Sequence, residues 1–104
     1  MDASARKLDS VVRLKEFVPN LERCHLDNNA ISYLTGLPAA LRTLTISHNR
    51  IPSIVSFGHL LKLETLDVSY NDLEELNALE CLVHLRHLKA DNCGVRSLAG
   101  IEKL

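Results

Sequence analysis

The chain has 104 residues, with 12 Lys+Arg against 13 Asp+Glu and a formal net charge of −1. That length is one domain or part of one, and the charge balance argues against a nucleic-acid or anionic-membrane binder, which usually shows a basic excess. The 46% hydrophobic content is too high for a disordered chain, and no run approaches the roughly 18 apolar residues of a membrane span. Leucine occurs 20 times, aromatics make up 4%, and Trp is absent. A core drawn almost wholly from Leu, Ile and Val implies many equivalent small slots, as in a repeat.

The first twenty residues carry no apolar signal-peptide core. Leu8, Val11, Leu14 and Phe17 are spaced by three, and read as the outer half of a unit whose strand is missing or degenerate. Pro19-Asn20 then turns the chain. Four similar openings follow: Leu21 to Asn29, Leu41 to Asn49, Leu63 to Asn71 and Leu85 to Cys93. Each fits LxxLxLxxN/C, the leucine-rich repeat pattern. The openings fall 20, 22 and 22 residues apart. The second half of each unit has apolar residues every third position. They are Ile31, Leu34, Leu37; Ile51, Ile54, Phe57, Leu60; Leu73, Leu76, Leu79, Leu82; and Val95, Leu98, Ile101, Leu104. Positions i and i+3 eclipse in a 3₁₀ helix, so each unit is expected to be a short parallel strand, a turn and a 3₁₀-like return.

The expected architecture is an α/β solenoid, a right-handed leucine-rich repeat coil. Its short-stranded parallel sheet lines the concave face, and 3₁₀ or turn segments form the convex face. The spacing resembles the SDS22-like class. We read one domain over 1–104: a partial repeat at 1–20, then repeats at 21–40, 41–62, 63–84 and 85–104. Solenoids need capped ends, and Leu98, Ile101 and Leu104 are followed by no polar cap, so the chain is expected to be a fragment of a longer protein, or to have this end covered by another chain.

Individual positions follow from this register. Asn29, Asn49 and Asn71, at position nine, should form a ladder, because an amide offers donors and an acceptor to backbone groups left unpaired at the turn. Cys93 takes that place in the fourth unit and can cap the ladder only weakly. Position two alternates Glu22, Arg42, Glu64, Arg86, a charge row that fixes register along one edge. Positions three, five and seven face outward on the concave side, and position eight adds Asn28, His48, Tyr70 and Asn92 along the rim. Concave faces are the usual binding surfaces of solenoids. The candidate partner-binding residues are Arg23, His25, Asp67, Tyr70, His87 and Lys89. Tyr70 is the one rim residue of a type favoured at hot spots. Glu75, on the convex side, serves as the expected silent control.

Other chemistry finds little support. Cys24, Cys81 and Cys93 make an odd number with no CxxC, which argues against a disulfide framework or zinc ribbon and for a reducing compartment. Cys81, His84 and His87 are spaced by three but belong to a return and the next strand, so no metal site is expected. There is no GxSxG, HExxH or glycine-rich phosphate loop. No catalytic residue, cofactor, metal, small-molecule substrate, nucleic acid or membrane is expected.

Several segments are not consensus filler: Phe17-Val18-Pro19-Asn20-Leu21-Glu22, Tyr33-Leu34-Thr35-Gly36-Leu37-Pro38, Ser56-Phe57-Gly58-His59-Leu60 and Cys81-Leu82-Val83-His84-Leu85-Arg86, with Leu88-Lys89-Ala90-Asp91-Asn92. Together they resemble the leucine-rich repeat domain of the fungal spindle-pole-body scaffolds of the septation-initiation and mitotic-exit networks, to which animal centriolin is distantly related. The resemblance implies a non-catalytic protein–protein interaction module that helps recruit a GTPase and kinase cascade at the spindle pole body, the cytoplasmic microtubule organising centre. Its partners would be spindle-pole or signalling proteins. A phosphatase-regulatory or an RNA-processing leucine-rich repeat protein is the alternative that the period alone allows. Cys24-His25-Leu26 and Cys93-Gly94 depart from more regular repeat residues.

Overall fold

The computed structural model describes residues 1–73 and 81–94. The expectations placed on Glu75, Leu76, Leu79, Val95, Leu98, Ile101 and Leu104 fall outside them. The described elements are β1 (Ser10–Val11), α1 (Leu14–Phe17), β2 (Arg23–His25), β3 (Tyr33–Leu34), β4 (Thr43–Thr45), a 3₁₀ turn (Val55–Phe57), β5 (Thr65–Asp67) and β6 (His87–Lys89). Strands β2, β4, β5 and β6 form one parallel sheet in that order.

The register is uniform. Arg23, Thr43, Thr65 and His87 are aligned, as are Cys24, Leu44, Leu66 and Leu88, and then His25, Thr45, Asp67 and Lys89. A one-residue slip would turn every middle residue outward. Cys24, Leu44 and Leu66 have no exposed surface, so the slip would bring buried apolar groups into water. The strands are short because the chain bends away at position eight in every unit. Asn28, His48, Tyr70 and Asn92 all take left-handed backbone, with φ of 58°, 55°, 57° and 50°.

Behind the sheet lies one continuous apolar layer. Leu26, Ile46 and Val68 from the strand ends meet Ile31, Ile51, Ile54, Phe57 and Leu60 from the returns, and these residues are buried. Phe57 is the largest fully buried side chain. Its 3₁₀ turn closes through Phe57 N–H donating to Ile54 O and Leu60 N–H donating to Phe57 O.

The first full unit returns differently. Its return contains β3, which pairs in parallel with β1 in a second, two-stranded sheet. This unit is two residues shorter than the next two. A strand advances about 3.3 Å per residue against about 2 Å in a 3₁₀ helix, so fewer residues cover the same depth only by extending. Gly36 completes that return at φ +67°, and a Cβ there would lie 2.7 Å from the Arg13 backbone nitrogen.

The segment before the first unit holds a degenerate strand. His25 N–H donates to Met1 O, Ala3 N–H to His25 O and Ala5 N–H to Asp27 O, so residues 1–5 run along the free edge of β2. Phe17 departs from the spacing of three: it is 72% exposed, whereas Leu14 packs against the core. The single turn of α1 is α-helical rather than 3₁₀. Phe17, at the end of that turn, lies under the Arg13 guanidinium, 5.8 Å away, rather than against the core.

Candidate protein-binding site

The candidate face is built from the outward side chains of the four-stranded sheet and from the turns that follow. These turns are held by the asparagines. Asn49 Nδ2 donates to Leu26 O, Ile46 O and Ser47 O, at 2.9, 3.1 and 3.1 Å, and Oδ1 accepts from Ile31 N–H at 3.0 Å. Asn71 repeats the pattern one unit on, with Ile46 O, Val68 O, Ser69 O and Ile51 N–H. Asn29 donates to Ala3 O, Leu26 O and Asp27 O, and accepts from Arg6 and Leu8 N–H. Each amide thus fastens its own turn to the turn before it. Cys93 has no side-chain oxygen to offer. The Leu73 N–H, which corresponds to Ile31 and Ile51, is instead taken by the Cys93 backbone carbonyl at 2.7 Å. Gly94, at φ +76°, follows directly.

The charge row at position two is present from Glu22 through Arg42 to Glu64. Arg42 Nε lies 3.0 Å from Glu22 and its terminal nitrogen 3.2 Å from Glu64. Glu22 and Arg42 are well exposed and Glu64 is partly so, so the row contributes little to stability. Arg86 lines a neighbouring hollow with Lys62 and His84.

Further up the face, a polar network crosses β2 and β4. Asp27 accepts from Thr45 Oγ1 at 2.8 Å, from Ser47 N–H at 2.8 Å and from Ser47 Oγ at 2.9 Å. His25 Nδ1 lies 2.9 Å from Thr45 Oγ1. The Thr45 hydroxyl has one proton, and the carboxylate takes it, so Nδ1 is the donor to Thr45. This order is the reverse of a nucleophile–base pair, in which the imidazole would accept from the hydroxyl. The network fixes the shape of the face, and His25 is one of its members.

The candidate binding residues do not form one cluster. Arg23 and His25 lie on β2, at the sheet edge. Asp67, His87 and Lys89 lie on β5 and β6, where Asp67 is aligned with Lys89 and Thr65 with His87. Tyr70 stands just beyond β5. Asp67 Oδ1 accepts from Ser69 N–H at 3.0 Å, which orients its carboxylate. Arg23 and His25 are two strands away from Asp67, roughly 10 Å at normal strand spacing.

One partnership goes beyond the sequence-derived set. The His48 ring stacks on Tyr70, with centroids 4.3 Å apart and planes 8° from parallel. Tyr70 stays 48% exposed, and His48 is also exposed. The signal was present in the sequence: two aromatic rings hold the same position of consecutive units, and parallel strands about 4.8 Å apart bring such rings face to face.

Among the described residues no group of His, Cys, Asp and Glu could hold a metal ion, and no helix is long and apolar enough to cross a membrane. Cys24 and Cys93 are buried and Cys81 is exposed. Burial pushes the Cys24 thiol up to about 11, away from nucleophilic reactivity at neutral pH.

The chain belongs to the leucine-rich repeat family, whose model matches residues 39–95. That family implies a solenoid-like α/β fold, to which the small parallel sheets conform. Over 70 residues the chain is 47% identical to the septation initiation network scaffold protein cdc11 of Schizosaccharomyces pombe, a match covering 67% of the chain and 7% of that protein. Over 103 residues it is 32% identical to Protein NUD1 of Saccharomyces cerevisiae, covering 97% of the chain and 12% of that protein. The chain thus spans a small part of the length of these curated relatives.

Proposed function

We propose that this chain is a non-catalytic protein-binding module of a septation-initiation or mitotic-exit scaffold, acting at the spindle pole body in the cytoplasm. Its role there is to help gather a GTPase and kinase cascade. The observation that carries this reading is the 47% identity to a protein named as a septation initiation network scaffold. In this reading the units at 21–40, 41–62, 63–84 and 85–104, with the partial one at 1–20, wind as a right-handed coil that displays the concave sheet to a protein partner.

On that sheet Tyr70 and Asp67 contribute most of the binding energy, with Arg23, His25, His87 and Lys89 setting charge at the two ends. Hot spots are few and central, and Tyr70 is the exposed aromatic beside the inner strand β5. The test is affinity capture of spindle-pole proteins from fission-yeast extract on the immobilised chain. Tyr70→Ala or Asp67→Ala should weaken capture by about 1–2 kcal/mol with folding intact, while Thr43→Ala and the outer-surface change Ser32→Ala leave it unchanged. Sensitivity at Ser32 with silence at Tyr70 and Asp67 would move the site to the convex side.

A further inference from the structure

The concave-face reading leaves open what kind of group the face receives. The stacked pair narrows that choice. One face of Tyr70 is covered by His48. The next unit offers only the short Asn92 at the equivalent position, held one strand over by Tyr70 N–H donating to Asp91 O. The second face of the ring therefore looks along the row of units towards a small side chain rather than towards another ring, an open face.

The charges named around that face are net negative. Asp67 stands on β5, three residues before Tyr70, with its carboxylate oriented by Ser69 N–H. Asp91 is anchored beside Tyr70 through its own N–H, which donates to Ser69 Oγ at 3.1 Å. Asp72 follows two residues later; Asp72 and Asp91 are exposed. Among the described residues facing this end of the sheet, Lys89, aligned with Asp67, is the opposing cation, and Arg50 lies on the His48 side. Three carboxylates against the Lys89 ammonium and the Arg50 guanidinium leave a net negative charge, which favours a cationic visitor over a phosphate or an acidic peptide. A guanidinium is the cation that is both flat enough to lie on a ring and able to give paired hydrogen bonds to a carboxylate at its edge.

We propose that the outer face of Tyr70, backed by His48 and flanked by Asp67, Asp72 and Asp91, is a slot for an arginine side chain presented by an extended basic segment of the protein partner. This rests on the concave-face reading above and deepens it by naming the partner's chemistry. The stacking of His48 holds the Tyr70 ring flat and edge-out, so little side-chain freedom is lost when the arginine arrives.

The probes are short Gly/Ser peptides carrying arginine, lysine or the uncharged arginine isostere citrulline, titrated at low salt into the isotope-labelled chain and followed by NMR. The arginine peptide should saturably shift the Tyr70 ring signals and the amides of 67–71 and 89–92. The lysine peptide should bind roughly three-fold more weakly, and the citrulline peptide should not bind. Tyr70→Asn retains a residue suited to left-handed backbone, as Asn28 and Asn92 are in the equivalent places. It should weaken the arginine peptide about five-fold without unfolding the chain. Equal binding of citrulline, shifts centred instead on Glu22 and Glu64, or indifference to Tyr70→Asn would overturn the slot. If the peptides fail while capture of the spindle-pole partner still depends on Asp67, the slot alone is lost. If the arginine peptide binds at Tyr70 while partner capture ignores every concave change, the slot stands and the concave-face reading falls.

Discussion

His48 and Asn49 are adjacent in the chain, as are Tyr70 and Asn71, yet the two positions answer to different constraints. The asparagines are buried and fully engaged, each with three donated bonds and one accepted. Their identity is dictated by backbone groups that the turn leaves unpaired. The rings beside them are exposed and sit in left-handed backbone, which a bulky residue adopts at a cost and Asn adopts routinely. The first and fourth units place Asn there. Folding therefore accounts for position nine and does not account for the aromatic rings at position eight. A residue type that folding does not require, exposed and pre-stacked, is where a function can reside.

The comparison breaks most readily at the buried amides. Asn49→Ala should cost about 2–3 kcal/mol, because Ile31 N–H loses its acceptor out of reach of water, while Leu26 O, Ile46 O and Ser47 O each lose one donor and keep another. Asn29→Ala should cost about 1 kcal/mol, since Asn29 is only partly buried. Urea unfolding measures both, and equal losses would remove the distinction between the interior and the end of the ladder.

A smaller effect tests the polar network of the concave face. Asp27→Ala leaves Ser47 N–H and two hydroxyls without their acceptor on a half-exposed surface, so about 1–2 kcal/mol is expected. Asp27→Asn should cost less, because one oxygen remains. If Asp27→Ala proves neutral, the face is not held in shape by this network.

The thiols sharpen the contrast between inside and outside. At neutral pH iodoacetamide should label Cys81 quickly, while Cys24 and Cys93 label at the rate of unfolding. Cys24 has its folded value raised from 9.0 to about 11. Above pH 9 the unfolded chain loses this proton and the folded chain keeps it, so unfolding releases protons. Stability contributed by the neutral buried thiol is thus present at lower pH and declines as pH rises from about 9 towards 11. Thermal melts across that range should show the decline, and Cys24→Ala should flatten it.

The parallel pairing and the family were legible in the sequence because four openings repeat the same apolar spacing, and that spacing leaves one register. The extended return of the first unit was less so. Two missing residues announce that something is tighter, but the pairing of Tyr33–Leu34 with Ser10–Val11 depends on where the preceding segment lies. Phe17 misled because a spacing of three marks a shared face and not what packs against it, and at the end of α1 the Arg13 guanidinium stands where a core neighbour was expected. At the candidate site, the placing of Tyr70 on the rim followed from register. Its stack with His48 needed the two rings to be read as neighbours, and the bonds of His25 and Asp27 needed side-chain geometry that no spacing contains.

The smallest expected effect bears most directly on why the rings are there. His48→Asn and Tyr70→Asn together relieve left-handed backbone at two bulky residues, a gain of about 1 kcal/mol. They also remove one stacked aromatic contact, a loss of about 1 kcal/mol. The neighbouring turns keep their backbone bonds, since His48 N–H to Ser69 O and Tyr70 N–H to Asp91 O do not involve the rings. The two contributions nearly cancel, and the double variant should unfold within about 0.5 kcal/mol of the parent, the ordinary range for surface changes. A loss of several kcal/mol would mean that the stack is part of what holds the repeats together, and the case for a docking surface would then rest on the charges alone. A melt close to the parent's, combined with loss of arginine-peptide binding, would separate the two adjacent positions cleanly: position nine maintains the fold, and position eight meets the partner.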